Sequence, residues 1–337
     1  METPWFAKRP VSAVRPGDHA WLAYSGAAER DAVIGPFVRE GLQTNEKVVY
    51  VTDLPPESLP GLTPAPRPGA RPGDPAGARP GDPAGADTDA DTDADSQADL
   101  RAGLAAYTRT GQLRVIARRD ACLDRDGGFE PAMMLDTLSR EVEAAFGQGF
   151  RAVRLTTDHS WVLNGPEAAG LPRMLGCEHR VGDAVSPSTM AMAICQVDRR
   201  ACPRDQLVAL RDTHEVLVEV NPEFDDGILK IVRTFEPNGL RVEGELDAAR
   251  HAVFAEKLAQ VSTARQRVHL DFSRLGFIDL GGLGLLAQHA TRLHADEALV
   301  LDHLPPDVEN VIEMVGWHRL PGLTRGGDGL PEREDVL

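Results

Sequence analysis

Three aspartates that follow strand-like apolar runs are the residues of this sequence best placed to do chemistry. Asp53 and Asp158 each end a run rich in β-branched residues, and Asp279 ends a shorter one. Asp158 is followed directly by His159, and an acid beside a histidine can exchange protons with a bound molecule. An acid at the start of a helix can instead cap the free N–H groups there. Both interpretations stay open for Asp158, and capping stays open for Asp53 and Asp279 as well.

The elements that must position the first two aspartates alternate between strand and helix from His19 to Val220. This alternation predicts an α/β fold with a doubly wound, mostly parallel sheet. Open sheets of this type bind ligands outside the carboxyl ends of their strands. Such a crevice predicts a site for a small-molecule ligand, with capping of the next helices as the structural alternative for the acids. The expected lining residues are Tyr24, Ser25, Asp53, Asp158, His159 and Trp161.

Nucleotide hydrolysis is not expected of this chain. A P-loop requires Gly-Lys-Ser/Thr so that backbone amides and a lysine hold the phosphates. The lysines stand at positions 8, 47, 230 and 257, and none follows a glycine. No nucleophile with an adjacent base is evident either. We therefore expect a non-enzyme, with a small-molecule enzyme or ligand-binding protein that uses the Asp158/His159 crevice as the alternative.

The cysteines predict neither a disulfide framework nor a metal site. Four cysteines in 337 residues are too few for a stapled fold. The spacings of these cysteines and the nearby histidine match no compact zinc knuckle. We expect no metal and no cofactor. The residues weighed for zinc were Cys177, His179, Cys195 and Cys202.

Composition narrows the class of partner. The net charge is −16, which argues against non-specific binding to nucleic acid, since that needs a basic surface. No apolar run is long enough to span a bilayer. The first residues carry an early acid and lack the apolar segment of a secretory signal. We expect a cytoplasmic protein that meets proteins or small molecules and does not bind membranes.

Residues 55–99 differ from the rest of the chain. Arg-Pro-Gly-Asp-Pro-Ala-Gly-Ala occurs twice in tandem, at 71–78 and 79–86, and alternating Thr-Asp and Ala-Asp follow. Such a segment buries too little apolar surface to offset the entropy lost on ordering. It is predicted to be a disordered low-complexity insert, with an acidic segment that folds on binding as the alternative.

The C-terminal third carries two separated motifs. Gly-Glu-Leu-Asp at 244–247 precedes a helix-like run, and Asp-Phe-Ser-x-Leu-x-Phe-Ile-Asp at 271–279 precedes a second helix. In this order they resemble the STAS domain of anti-anti-sigma factors, which implies a small α/β domain with a mixed sheet over residues 221–323. The resemblance implies an anti-sigma factor of the serine-kinase type as the partner. The residues implied in partner binding are Asp247, Asp279, Leu280, Gly281, Gly282 and Leu283.

One departure from that family concerns its phosphorylation switch. The family carries a phosphorylated serine directly after the aspartate that corresponds to Asp279. This chain has Leu280 there and Gly281 next, and neither has a hydroxyl. We therefore expect partner binding without the usual serine phosphorylation.

The N-terminal part resembles the MEDS domain, a sensory module of methanogens and methylotrophs. The similar pieces are Gly17-Asp18-His19, Glu46 to Tyr50, Gly149 to Trp161, Ile194 to Arg200, and His214. The resemblance covers residues 14–220 and implies a RecA-like core that senses hydrocarbon-type or one-carbon compounds. It adds His19 to the candidate ligand-binding residues. With tails at 1–13 and 324–337, the sequence predicts a two-domain signalling and transcription regulator.

Overall fold

The computed structural model describes residues 7–62, 103–163, 170–262, 267–294 and 296–326. Its contacts divide the chain into two compact units, with the boundary between Glu219 and Val220. The repeat-rich part of the predicted insert, from residue 63 onward, lies outside the described residues, as do both predicted tails except for residues 7–13 and 324–326.

The first unit is built on a seven-stranded sheet in which every pair of neighbouring strands is parallel. The strand order is β1-β7-β2-β6-β5-β3-β4. The central strands are almost wholly buried, as expected for a parallel sheet covered on both faces. The predicted fold class is confirmed. The strands are Ala7–Pro10 (β1), His19–Tyr24 (β2), Lys47–Val51 (β3), Leu113–Ile116 (β4), Val153–Asp158 (β5), Ala191–Asp198 (β6) and Val216–Glu219 (β7).

Helices cover this sheet with apolar stripes. Glu130 accepts a hydrogen bond from the N–H of Ala132, and Pro131 occupies the first turn of the helix that follows. Pro36 lies inside the first helix without ending it. The helices are Ala27–Gln43 (α1), Arg118–Ala121 (α2), Pro131–Gly147 (α3), Ser160–Leu163 (α4), Gly170–Ala184 (α5) and Arg204–Arg211 (α6), and residues 103–110 are also helical.

The start of the predicted disordered insert is wrong. Residues 55–62 are folded, with a 3-10 turn at Pro56–Ser58 and Leu59 fully buried. Gly61 has φ +71°, and a Cβ there would lie 2.4 Å from the Cα of Gly35. The composition of residues 55–99 as a whole suggested disorder, but two leucines near its start are buried. The burial of Leu59 and Leu62 supplies the apolar contact that composition alone did not reveal.

The second unit has a six-stranded mixed sheet in the order β13-β12-β11-β10-β9-β8. The pairs from β10 to β13 are parallel, and β8, β9 and β10 form antiparallel pairs. The predicted mixed sheet is confirmed. Its strands are Phe224–Asp225 (β8), Leu229–Phe235 (β9), Asn238–Leu246 (β10), Arg267–Ile278 (β11), Ala298–Asp302 (β12) and Leu323–Arg325 (β13), and its helices are His251–Val261 (α7), Leu280–Ala290 (α8) and Pro306–Met314 (α9).

The predicted end of this domain at residue 323 is too early. β13 continues to Arg325, whose register partner is Leu301 of β12. The Arg325 side chain also forms ion pairs with Glu309 and Glu313 of α9. Backbone pairing therefore extends into the segment that the sequence suggested was a tail.

Candidate functional site

Four buried side chains converge inside the first unit. The Nε2 atom of His19 lies 2.9 Å from Oε2 of Glu178 and 3.3 Å from Sγ of Cys195. The same carboxylate oxygen lies 3.4 Å from Sγ of Cys195 and 3.4 Å from Nε2 of His214. The potential ligand atoms of all four residues lie within 4.8 Å of one another. We call these four residues the buried cluster.

The fold brings the buried cluster together from four elements. His19 begins β2, Cys195 lies in the middle of the neighbouring strand β6, and Glu178 lies on α5, which covers them. His214 lies between α6 and β7. Because β7, β2 and β6 are adjacent in the sheet, residues far apart in sequence meet on one face.

Glu178 is the only member of the cluster with a fixed negative charge. Its side chain is 2% exposed. Burial alone would raise the pKa of this carboxyl, but the imidazoles of His19, His214 and His159 that face it hold the pKa well below its usual range. Burial lowers the pKa of His19, and the neighbouring His214 lowers it further. The cluster therefore holds an ionised carboxylate in a dry environment, where it must be compensated by a positive charge.

The Nε2 atom of His214 faces that carboxylate. Its Nδ1 lies 2.8 Å from the carbonyl oxygen of Leu210, a contact in which Nδ1–H must donate. In the neutral ring Nε2 then carries a lone pair, and this atom faces Oε2 of Glu178 outside hydrogen-bond geometry. Two acceptors thus face each other unless a proton or a cation lies between them.

His159 approaches the carboxylate from the other side. Its Nε2 lies 3.3 Å from Oε1 of Glu178, and neither ring nitrogen has a hydrogen-bond partner among the described residues. A cavity of about 20 Å³ lies next to these groups. Its walls are mostly apolar, and Cys195 also contributes to them. The space is enough for one water or a guest of similar size.

Two of the crevice residues predicted from the sequence, Tyr24 and Asp158, contact each other. The Tyr24 hydroxyl donates to Oδ2 of Asp158 at 2.6 Å, and the other oxygen accepts from the N–H of Ser160 at 2.9 Å. Burial, and then this bond to Asp158, raise the pKa of Tyr24. Ser25 donates its backbone N–H to Glu29 at 2.6 Å. Asp158 therefore caps α4, which is the structural role weighed for it from the sequence.

Asp53 and Trp161 are joined through Arg118. Oδ1 of Asp53 accepts from the backbone N–H of Arg118 at 2.9 Å, and Oδ2 accepts from its guanidinium at 2.6 Å. Burial alone would raise the pKa of Asp53, but these hydrogen bonds lower it. The same guanidinium lies 5.1 Å from the Trp161 ring centroid. Asp53 thus binds the first N–H of α2, which is again a structural role.

In the second unit, Asp279 begins α8. Its Oδ1 accepts from the N–H of Gly282 at 2.7 Å and lies 2.7 Å from Nε2 of His251. The bond from Gly282 is the main cause that lowers the pKa of Asp279, and His251 contributes. Next to this cap, the Leu280 side chain is 63% exposed, and Phe277 is 50% exposed. The start of α8 thus combines a fixed carboxylate with uncovered apolar surface.

The remaining residues of the predicted partner surface divide between surface and core. Both carboxylate oxygens of Asp247 accept from Nη1 of Arg250 at 2.9 Å. Asp247 lies at the same end of the sheet as Asp279, because Leu246 pairs with Ile278. A Cβ on Gly281 would lie 2.4 Å from Cε1 of His251, so a glycine lets these groups approach. Gly282, in contrast, is buried.

Leu283, the last residue of the predicted partner surface, is buried. Its side chain is 4% exposed and packs in the core of the second unit. Residues three apart in a helix differ by nearly a full turn, so Leu280 and Leu283 lie on similar sides of α8. Leu280 is nonetheless 63% exposed, whereas Leu283, three residues further along the helix, is 4% exposed.

Sequence reasoning missed Glu178 and did not connect His19, Cys195 and His214. A signal for Glu178 exists: it lies on α5 beside Cys177, between the buried residues Met174 and Val181. The spacing places a carboxylate on the apolar stripe of an amphipathic helix. A charge at such a position needs a buried partner.

Together these features define a two-unit α/β protein, with a buried polar centre under a parallel sheet and an exposed helix start on a mixed sheet. Comparison with protein families identifies the units. Residues 75–215 match the family described as MEDS, "MEthanogen/methylotroph, DcmR Sensory domain", and residues 229–324 match "Mlab, STAS domain". The chain therefore carries a MEDS domain followed by a STAS domain, and the predicted fusion is confirmed.

The MEDS match begins after β3, although strands from Ala7 onward belong to the same sheet. Comparison with curated proteins found no match. Among the described residues, none of the helices has both the length and the apolar character needed to cross a bilayer.

Proposed function

We propose that this protein is a signalling regulator in which the MEDS domain senses a small ligand and the STAS domain binds an anti-sigma-type protein. The two family matches, in this order along the chain, support a sensor joined to an output module. STAS domains act through partner proteins, and the exposed start of α8 offers a surface for one.

The observation that carries the proposal is the exposure of Leu280. Its side chain is 63% exposed beside the ionised cap Asp279, where the resemblance to anti-anti-sigma factors places a phosphorylated serine. An uncovered leucine offers apolar surface for a partner to bury, and the fixed charge beside it can orient that partner. Since leucine accepts no phosphate, partner binding at this surface is not switched by modification of residue 280.

Control must then come from elsewhere, and we assign it to the MEDS domain. A ligand changes partner binding only if its affinity differs between two arrangements of the protein. The small cavity beside Glu178 and His159 supports ligand binding by this domain. The side chains of Asp158 and His159 face different partners, which favours sensing over catalysis by that pair.

The partner surface is tested by binding of the full-length protein to the purified anti-sigma kinase-like proteins of its host. Leu280→Asp places a second carboxylate beside Asp279 and removes apolar surface. We expect it to weaken binding at least about tenfold, as loss of a hot spot does. Met314→Asp is the matched control, because Met314 is 85% exposed on α9 of the same domain. If the wild type binds none of these proteins, or both variants bind equally well, the proposed surface is wrong.

The sensing role is tested by thermal shift with one-carbon compounds as probes, because the cavity holds only a very small guest. A compound that binds only the folded state raises the melting temperature in a concentration-dependent way. Leu138→Phe fills space at the apolar wall of the cavity and is expected to abolish the shift. A shift that survives this substitution would place the ligand elsewhere.

A further inference from the structure

The buried cluster has the composition of a transition-metal site. It offers two imidazoles, one carboxylate and one thiol, all of which bind zinc in proteins. Bonds from zinc to nitrogen and oxygen are about 2.0–2.2 Å and to sulfur about 2.3 Å, so the edges of a tetrahedral site measure about 3.3–3.6 Å. Four pairs of ligand atoms in the cluster lie 2.9–3.4 Å apart. The side chains are therefore already close to the spacing that one ion requires.

The hydrogen bonds around the cluster also suit a metal. The Nδ1–H of His214 donates to a backbone carbonyl, which leaves Nε2 free to bind an ion. Metal-binding histidines are commonly held in this way by a second shell. The free nitrogen is fully buried and has no hydrogen-bond partner among the described residues. Burying the Nε2 lone pair against a carboxylate costs folding free energy, and a cation bound to both groups removes that cost.

Charge balance gives an independent reason. A divalent ion, the Glu178 carboxylate and a Cys195 thiolate sum to zero, while the two histidines stay neutral. A neutral assembly is the form that a site this deeply buried tolerates best. A transition-metal ion binds cysteine as the thiolate, so the thiol proton of Cys195 is released to solvent when the ion binds.

We propose that His19, Glu178, Cys195 and His214 bind one divalent transition-metal ion of the zinc type. Glu178 binds through Oε2, the oxygen that faces the other three ligands. The Nε2 atom of His159 lies 3.3 Å from Oε1 on the opposite side and is not one of the ligands. With four protein ligands and no opening in the set, the ion stabilises the MEDS domain and forms part of the wall beside the cavity. This inference does not rest on the proposed signalling function.

The rival explanation is an ion pair between Glu178 and a protonated histidine, with no metal. The two are separated by metal analysis of full-length protein purified without chelators. We expect about one zinc per chain, retained on dialysis and removed by a strong chelator. After exchange with Co²⁺, we expect visible bands of a tetrahedral site and a thiolate-to-cobalt charge-transfer band. A protein that retains no metal and shows no such spectrum contradicts the proposal.

Variants assign the spectrum to residues. Cys195→Ser is expected to lose the charge-transfer band, whereas Cys122→Ser, at another buried cysteine of the same domain, is expected to keep it. His214→Ala is expected to lower metal content by at least tenfold. If Cys195→Ser does not fold, the wild-type cobalt spectrum still decides, because it either shows a thiolate ligand or does not. A band that persists in folded Cys195→Ser would place the metal at another cysteine.

Discussion

Replacing Glu178 with glutamine should destabilise the MEDS domain more than its small change in shape suggests. The side chain is 2% exposed and lies 2.9–3.4 Å from imidazole and thiol groups on three other elements. Glutamine keeps the size but removes the charge, which leaves the balancing positive charge buried without a partner. Breaking a buried charge pair in this way costs about 3–5 kcal/mol.

The assay is urea unfolding followed by tryptophan fluorescence. Trp21 reports on this region, because its ring centroid lies 5.1 Å from that of His214. A loss of this size lowers the unfolding midpoint by roughly 1–2 M urea for a slope of about 2–3 kcal/mol/M. The matched control is Glu40→Gln, whose carboxylate is 45% exposed and 3.2 Å from Arg154, and for which about 0–1 kcal/mol is expected. If Glu178→Gln unfolds like this control, Glu178 is not the charged centre of the site.

Three further predictions follow from single contacts. Leu59→Ala should lower the free energy of unfolding of the first unit by about 2–5 kcal/mol in the same urea assay, since the side chain is fully buried. An unchanged midpoint would mean that residues 55–62 are not packed. The pKa of Asp279 is lowered in the folded state, so its carboxylate stabilises the fold above the ordinary pKa of 3.8, and this stability is lost as pH falls through the lowered pKa. Asp279→Asn should therefore flatten the acid side of the curve of stability against pH. An unchanged slope would contradict the cap. Gly281→Ala should push the His251 ring away from Asp279, and unchanged NMR shifts of that ring would show that the close approach is not real.

The fold could be predicted because its signals are local. Continuous β-branched runs such as Lys47–Val51 are typical of buried parallel strands, and Pro131 marked the start of α3. The two motifs around Asp247 and Asp279 lie at the ends of paired strands, so their order along the chain carried information about the STAS fold. The limits of the folded segments were harder to predict, because Leu59 and β13 both lie in segments whose composition suggested irregular structure.

The buried cluster could not be predicted because its information is not local. His19 and His214 are nearly 200 residues apart, and they meet only because β7 lies beside β2 in the sheet order. Adjacent residues were equally misleading, since Asp158 and His159 follow the same strand but contact different groups. Neighbouring residues of an extended chain point to opposite faces, so adjacency in sequence is weak evidence for a shared site.

The most direct measurement of the buried cluster is zinc X-ray absorption spectroscopy on the full-length wild-type protein. One sulfur at about 2.3 Å and three nitrogen or oxygen ligands at about 2.0–2.2 Å are expected from Cys195, His19, His214 and Glu178. Bound zinc with no sulfur ligand, or with several, would contradict convergence of these four side chains on one ion.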